Sequence, residues 1–220
     1  MPAPAIPATD RMTPPHPQSE DRAPDDGLIR CGWANTGSAL YRDYHDNEWG
    51  RPQRGRTALF EKISLEAFQS GLSWLIILRK RDNFRRAFSR FDIETVAGYT
   101  GADVARLLAD AGIVRNRAKI EATIANARVA SDLDVDLSEL LWSFAPEPRQ
   151  ESNPRPADET EVPSLSSEST AMARDLKRRG FRFVGPTTAY ALMQATGMVD
   201  DHVRTCWVPL GGTVRPVRLL

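Results

Sequence analysis

The chain has 220 residues, 41% hydrophobic and 26% charged, with 29 basic and 29 acidic side chains. That length suits one domain with a sizeable core, or two small lobes. No apolar run reaches transmembrane length, the first residues lack the charged-then-apolar pattern of a secretory leader, and two cysteines are too few for a disulfide framework, so a globular cytoplasmic protein is expected.

Residues 1–27 are proline-rich and polar, without apolar periodicity, and read as a disordered arm that includes His16. The ordered domain is expected over 28–210, with 211–220 a short tail. Leu59, Phe60, Ile63, Phe68 and Leu72 recur at helical spacing, and Gln69, Gly71 and Leu72 lead into Trp74 on a helix-end loop. Thr100 with Asp103 three residues on marks a capped helix start ahead of Val104, Leu107, Leu108 and Ala111. Segments 115–130, 136–144, 167–179 and 186–197 continue the pattern, and none alternates as a strand would. Between them, 146–163 is rich in Pro, Glu and Arg and reads as a long, flexible surface loop. The predicted fold is all-α.

The balanced charge hides a basic body. Ten of the 29 acids lie in segments 1–27 and 146–163, which hold only four of the 29 bases. The remaining bases cluster around Arg79 to Arg81, Arg85 and Arg86, Arg115 to Lys119, and Lys177 to Arg182; such clusters are ordinarily solvated helix faces, with DNA contact the alternative.

The run from Gly180 to Thr188 separates a basic helix, Met172 to Arg179, from an apolar one, Thr187 to Met193. Its glycines stand where a tight turn needs positive φ, and Pro186 stands at a first-helical-turn position. This pattern reads as a helix-hairpin-helix, whose backbone amides and following helix N-terminus can hold a DNA phosphate without reading sequence. An ordinary turn between two helices is the alternative. The two cysteines lie near opposite ends, Cys31 with His45 fourteen residues on and Cys206 with His202 four residues before it. Four borderline-soft ligands suggest one closed tetrahedral zinc site, structural because it has no open position, that would staple the ends together. His202 and Cys206 at i, i+4 fall on one side of a helical turn. Spacing alone also permits two unrelated buried cysteines and two surface histidines.

Longer motifs then accumulate: Arg30 to Trp33 (RCGW), Tyr44 to Gly50 (YHDNEWG), Leu65 and Glu66 running to Gly71 through Trp74 (GLSW), Leu141 to Phe144 (LWSF), Arg179 to Gly185 (RGFRFVG), and Asp201 to Val203 (DHV) with Cys206. In this order, across roughly residues 30–209, the chain resembles the bacterial 3-methyladenine DNA glycosylase I family. The resemblance implies a helix-hairpin-helix glycosylase fold, a structural zinc on Cys31, His45, His202 and Cys206, and alkylated double-stranded DNA as the partner. It also implies hydrolytic release of 3-methyladenine, leaving an abasic site for base excision repair.

The residues fit that chemistry. A methylated adenine is cationic, so breaking its glycosidic bond neutralises the leaving group and needs little acid assistance. Tyr41, Tyr44, Trp49 and Trp74 are candidate walls for a flipped cationic base, each stack contributing on the order of 1–3 kcal/mol. Glu66, between apolar neighbours, is the candidate for accepting from the exocyclic amine and for any carboxylate role in hydrolysis. Leu72 is a candidate wedge for the vacated stack, and Gly180, Val184, Gly185 and Thr187 are candidate phosphate contacts. Lyase-active relatives carry a lysine just after the hairpin; Thr187 there implies a monofunctional enzyme. Asp200 matches those enzymes' aspartate and is either a transition-state stabiliser or a helix cap. A monomer is expected. The rival readings are a non-catalytic DNA-binding module using the same hairpin, and a zinc hydrolase or deaminase using His45 and Glu48.

Overall fold

The computed structural model describes residues 25–150 and 153–210; residues 1–24 of the expected arm and the tail 211–220 lie outside them. Among the described residues there are nine α-helices and no strand: α1 (Ala39–Asn47), α2 (Arg56–Gln69), α3 (Trp74–Ala87), α4 (Ile93–Ala97), α5 (Gly101–Ala109), α6 (Arg117–Ser131), α7 (Leu137–Trp142), α8 (Ser167–Arg179) and α9 (Pro186–Ala195). None of these helices is long and apolar enough to cross a membrane.

Helix α2 runs through the middle. From Leu59 to Phe68 every residue but Glu61 is buried, so the helix is covered on all sides and its polar members Lys62, Ser64 and Glu66 are buried with the rest. Phe60, Phe68, Phe84, Phe88 and Phe91 form an aromatic centre, with Phe88 and Phe91 stacked at 5.5 Å. That stack anchors an unusual turn, Ser89 to Phe91, whose three residues hold φ of 50°, 56° and 58°. Left-handed backbone at three successive non-glycine positions is costly, and the full burial of Phe88 and Phe91 offsets it.

Local chemistry sets the helix ends. The predicted Thr100–Asp103 capping box opens α5, which stops at Ala109, before Ala111, because Asp110 turns its carboxylate onto the Gly112 amide at 2.7 Å. Helix α2 stops at Gln69, short of Leu72. Lys119 donates to the Phe68 and Ser70 carbonyls at 2.9 and 2.7 Å, placing a cation at the negative end of the helix dipole. Several bases of the predicted clusters are similarly engaged within the protein: Arg81 with Glu48, Arg85 with Glu61, and Arg178 and Arg179 with Asp175.

The stretch 146–163 contains one 3₁₀ turn, Glu159–Glu161, and is anchored at two arginines. Arg149 pairs with Asp201 at 2.7 Å, and Arg155 pairs with Asp200 at 2.7 Å while also donating to the Val208 carbonyl.

Candidate functional site

Helices α1, α2, α3 and α9 converge on a cavity of about 410 Å³ whose lining includes Trp33, Tyr41, Tyr44, Trp49, Glu66 and Trp74. The four aromatics proposed from sequence are thus brought together with Glu66. Trp33 joins them; it lies 5.1 Å from Tyr41 and 5.1 Å from Trp49. Sequence reasoning finds it only as the last residue of the Arg30–Trp33 motif and not as a wall of the cavity. Tyr44 and Trp74 meet at 5.5 Å. Tyr41 and Tyr44 project one turn apart from α1, whose N-cap Ser38 accepts the Tyr41 amide.

Three acids line this cavity, and they are not equivalent. Asp201 accepts from Tyr190 Oη at 2.6 Å, Gln194 Nε2 at 2.9 Å and Arg149 Nη2 at 2.7 Å, so its carboxylate is fully engaged. Glu159, reaching in from the proline-rich stretch, accepts the Gly32 amide. Glu66 is 5% exposed and accepts no hydrogen bond among the described residues. Burial pushes its carboxyl up to about 7, and the nearby Lys62 ammonium opposes that rise without cancelling it. Of the three, Glu66 alone is buried and accepts no hydrogen bond from the described residues. Asp200 faces elsewhere: it binds Arg155, accepts the His202 amide at 3.3 Å, and lines a second cavity with Trp142 and Tyr190.

Behind the aromatic wall, Cys31, His45, His202 and Cys206 are all buried, with their ligand atoms within 4.8 Å of one another. Cys31 Sγ lies 3.6 Å from His202 Nδ1, and Cys206 Sγ lies 3.5 Å from both His45 Nε2 and His202 Nδ1. The two sulfurs act on each other: the Cys31 side chain and the two histidines hold the Cys206 thiol well below its ordinary pKa, while Cys206 and burial hold the Cys31 thiol above its own. The remaining ring nitrogens have partners too: His45 Nδ1 meets Asp46 at 2.8 Å, and His202 Nε2 meets the Trp49 carbonyl at 3.3 Å. Asp46 is in turn held by Arg30. This is the outer shell that fixes imidazole orientation at metal sites. It also explains Gly50, where a Cβ would stand 2.8 Å from His202 Nε2. Glu48, the acid of the deaminase alternative, is spent on Arg81 at 2.6 Å and Lys62 at 3.6 Å.

Helices α8 and α9 and the turn between them form the predicted hairpin. Gly180 takes φ of 105°, closing α8 by donating to the Leu176 and Lys177 carbonyls, and Pro186 begins α9. Gly185, expected at positive φ, has φ of −90° as the N-cap of α9; the second left-handed residue is Phe183, at 57°. Its side chain is 46% exposed, an outward position that avoids a steric conflict with the turn. Gly185 and Thr187 are exposed, whereas the Val184 side chain is part of the core and leaves only its backbone to a ligand. Sequence reasoning missed what holds this turn. Buried Asn126 on α6 accepts the Arg182 amide at 2.7 Å and donates to the Arg182 carbonyl at 3.0 Å. Leu72 is 36% exposed in the loop between α2 and α3.

The comparisons with known proteins agree with this architecture. Residues 33–209 match the family model described as methyladenine glycosylase. The chain is 44% identical over 182 residues to DNA-3-methyladenine glycosylase 1 of Escherichia coli (strain K12), covering 81% of this chain and 96% of that protein. It is 42% identical over 185 residues to DNA-3-methyladenine glycosylase of Haemophilus influenzae, covering 80% and 96%. A crystal structure of 3-methyladenine DNA glycosylase I superposes with a TM-score of 0.75 at 41% identity, over 81% of this chain and 98% of that one. With the family match spanning the aromatic cavity, the hairpin and every member of the Cys₂His₂ group but Cys31, the chain belongs to the methyladenine glycosylase family.

Proposed function

We propose that this protein flips alkylated adenine out of double-stranded DNA and hydrolyses its N-glycosidic bond, releasing 3-methyladenine and leaving an abasic site for repair. The observation that carries this reading is the single unengaged carboxylate, Glu66, inside a cavity walled by five aromatic side chains. A cationic purine gains from the negative ring faces and from the carboxylate, whose oxygens accept from its exocyclic amine. Neutral adenine has the same outline without the charge and gains less. Methylation has already weakened the bond by making the base a neutral leaving group, so the chain's task is to extrude and hold the base while water attacks the sugar. The decisive assay is base release from methylated duplex DNA: free 3-methyladenine supports the reading, and tight binding with no release would favour a non-catalytic module.

Zinc is the ion we assign to the Cys₂His₂ group. Tetrahedral zinc, with bonds of about 2.3 Å to sulfur and 2.0–2.1 Å to nitrogen, separates neighbouring S and N ligands by about 3.5 Å, in line with the separations here. All four positions are filled by protein, so the ion's part is to hold structure. Reduced thiols of this kind suit the cytoplasm, and a monomer suits a protein that scans DNA.

The hairpin grips the backbone through amides and the α9 N-terminus. Asn126→Ala is expected to weaken binding to an undamaged duplex by about tenfold, since it frees both Arg182 backbone groups, while binding of free 3-methyladenine stays unchanged. Fluorescence anisotropy and calorimetry measure the two affinities, and an equal loss in both would disprove the division of labour. Thr187, exposed at the start of α9, provides no amine for covalent attack on the sugar. Borohydride treatment with abasic DNA should therefore trap no adduct; a lysine-linked product would overturn the monofunctional assignment.

A further inference from the structure

Lys62 does not line the cavity, yet it is the least ordinary residue near the site. It is 4% exposed, and its ammonium nitrogen is fully covered without a hydrogen bond. That nitrogen lies 4.9 Å from the Tyr44 ring centre and 5.9 Å from that of Trp74, two walls of the cavity. Its nearest carboxylate, on Glu48, is 3.6 Å away and is already bound by Arg81 at 2.6 Å. One helical turn along α2, on the same face, stands Glu66.

We propose that Lys62 is a positioning residue that acts through Glu66, its buried ammonium keeping that carboxylate in the anionic form that a cationic purine requires. The inference rests on Glu66 being the base-reading carboxylate. An ammonium left without hydrogen bonds is expensive to bury, and a lysine kept only for packing would be served as well by methionine. The charged and titratable groups around the pair are Tyr41 and Tyr44 from α1, Glu48 just beyond it, Arg81 from α3, Glu61 from α2 and, on the cavity lining they share with Glu66, Asp201 and Glu159. Of the cations among them, Lys62 is the one that shifts the Glu66 equilibrium, drawing it down from the value burial alone would give. The same ammonium stands behind two rings that hold the cationic base and so repels that base weakly. Removing it should therefore hurt at low pH and help slightly at high pH.

The test is single-turnover release of 3-methyladenine from methylated duplex DNA between about pH 5.5 and 9, with uncatalysed release subtracted. The lesion remains cationic throughout, so the acid limb reports the protein. In Lys62→Met the limb should move up by about one pH unit, as expected for loss of a neighbouring opposite charge, with rates at the alkaline end equal to or above wild type. Lys62→Arg should keep the wild-type limb. A Met variant whose rate falls by the same factor at every pH, or whose limb stays in place, would overturn the proposal. If the Met variant does not fold, the carbon-13 carboxyl shift of Glu66 is titrated in wild type and in Lys62→Gln: a higher midpoint in the variant supports the proposal, and coincident curves refute it. Glu66→Gln separates the two ideas. Should that variant retain the acid limb, the Glu66 reading fails; should it lose the limb while Lys62→Met leaves it unmoved, only the role of Lys62 fails.

Discussion

Glu66→Gln is expected to slow release of 3-methyladenine from alkylated DNA by about 10²-fold or more, the usual scale for removing one preorganised electrostatic partner, while affinity for an undamaged duplex holds within about twofold. The substitution keeps the shape and one acceptor oxygen but removes the charge. The pH profile should change with it. The wild-type carboxyl sits near 7, so its anionic share, and the rate, fall as pH drops through that value; the glutamine variant should be flat there. Stability runs the opposite way. Burial makes Glu66 hold its proton more tightly in the folded protein than in the unfolded chain, so its ionisation between the ordinary carboxylate range and pH 7 costs folding energy. The variant should accordingly melt no lower than wild type at pH 8. Parallel losses of DNA affinity and melting temperature would show that Glu66 merely supports the fold.

Cys206→Ser is expected to release the metal and to lower the melting temperature by about 10 °C or more. Structural zinc contributes about 10–16 kcal/mol of apparent binding energy in finger peptides. Even a third of that, about 3–5 kcal/mol, corresponds to about 7–21 °C at the roughly 2–4 °C per kcal/mol of a domain this size, a range centred above the stated drop. The base site should fail as well, because the Trp49 ring rests on His202 at 4.7 Å and the Trp33 ring on His45 at 5.2 Å. Elemental analysis and thermal melting check the first two effects, and 3-methyladenine binding the third. Chelation of the wild type should reproduce all three, with zinc restoring the wild type but not the variant. Full metal content and unchanged melting in Cys206→Ser would rule out the staple.

Residues whose chemistry is rare were legible in the sequence: two cysteines paired with two histidines, glycines flanking a hairpin, aromatics bunched near a lone acid. Residues defined by distant partners were not. Lys62 and Asn126 look like ordinary outward positions of helices, and only the packing of α2 and α6 shows that both are enclosed. Arg149 and Arg155 gave the proline-rich stretch the look of a solvated loop, while their acidic partners lie 52 and 45 residues further along the chain. Asp200 and Asp201 are adjacent, and nothing in their order says which faces the aromatic cavity; the structure gives that place to Asp201. The hairpin was recognised although Gly185 does not adopt the backbone conformation assumed for it, because a small residue before Pro186 suits an N-cap as well as a left-handed turn.

The Cys₂His₂ group takes half its members from residues 202–206, and those same members support the aromatic wall. During translation the helical centre around α2 can therefore collapse well before the lesion-reading chamber exists. A chain interrupted ahead of Asp201 would keep α8 and α9 but lose half of the Cys₂His₂ group, so any grip it kept on DNA should not distinguish alkylated from undamaged duplex.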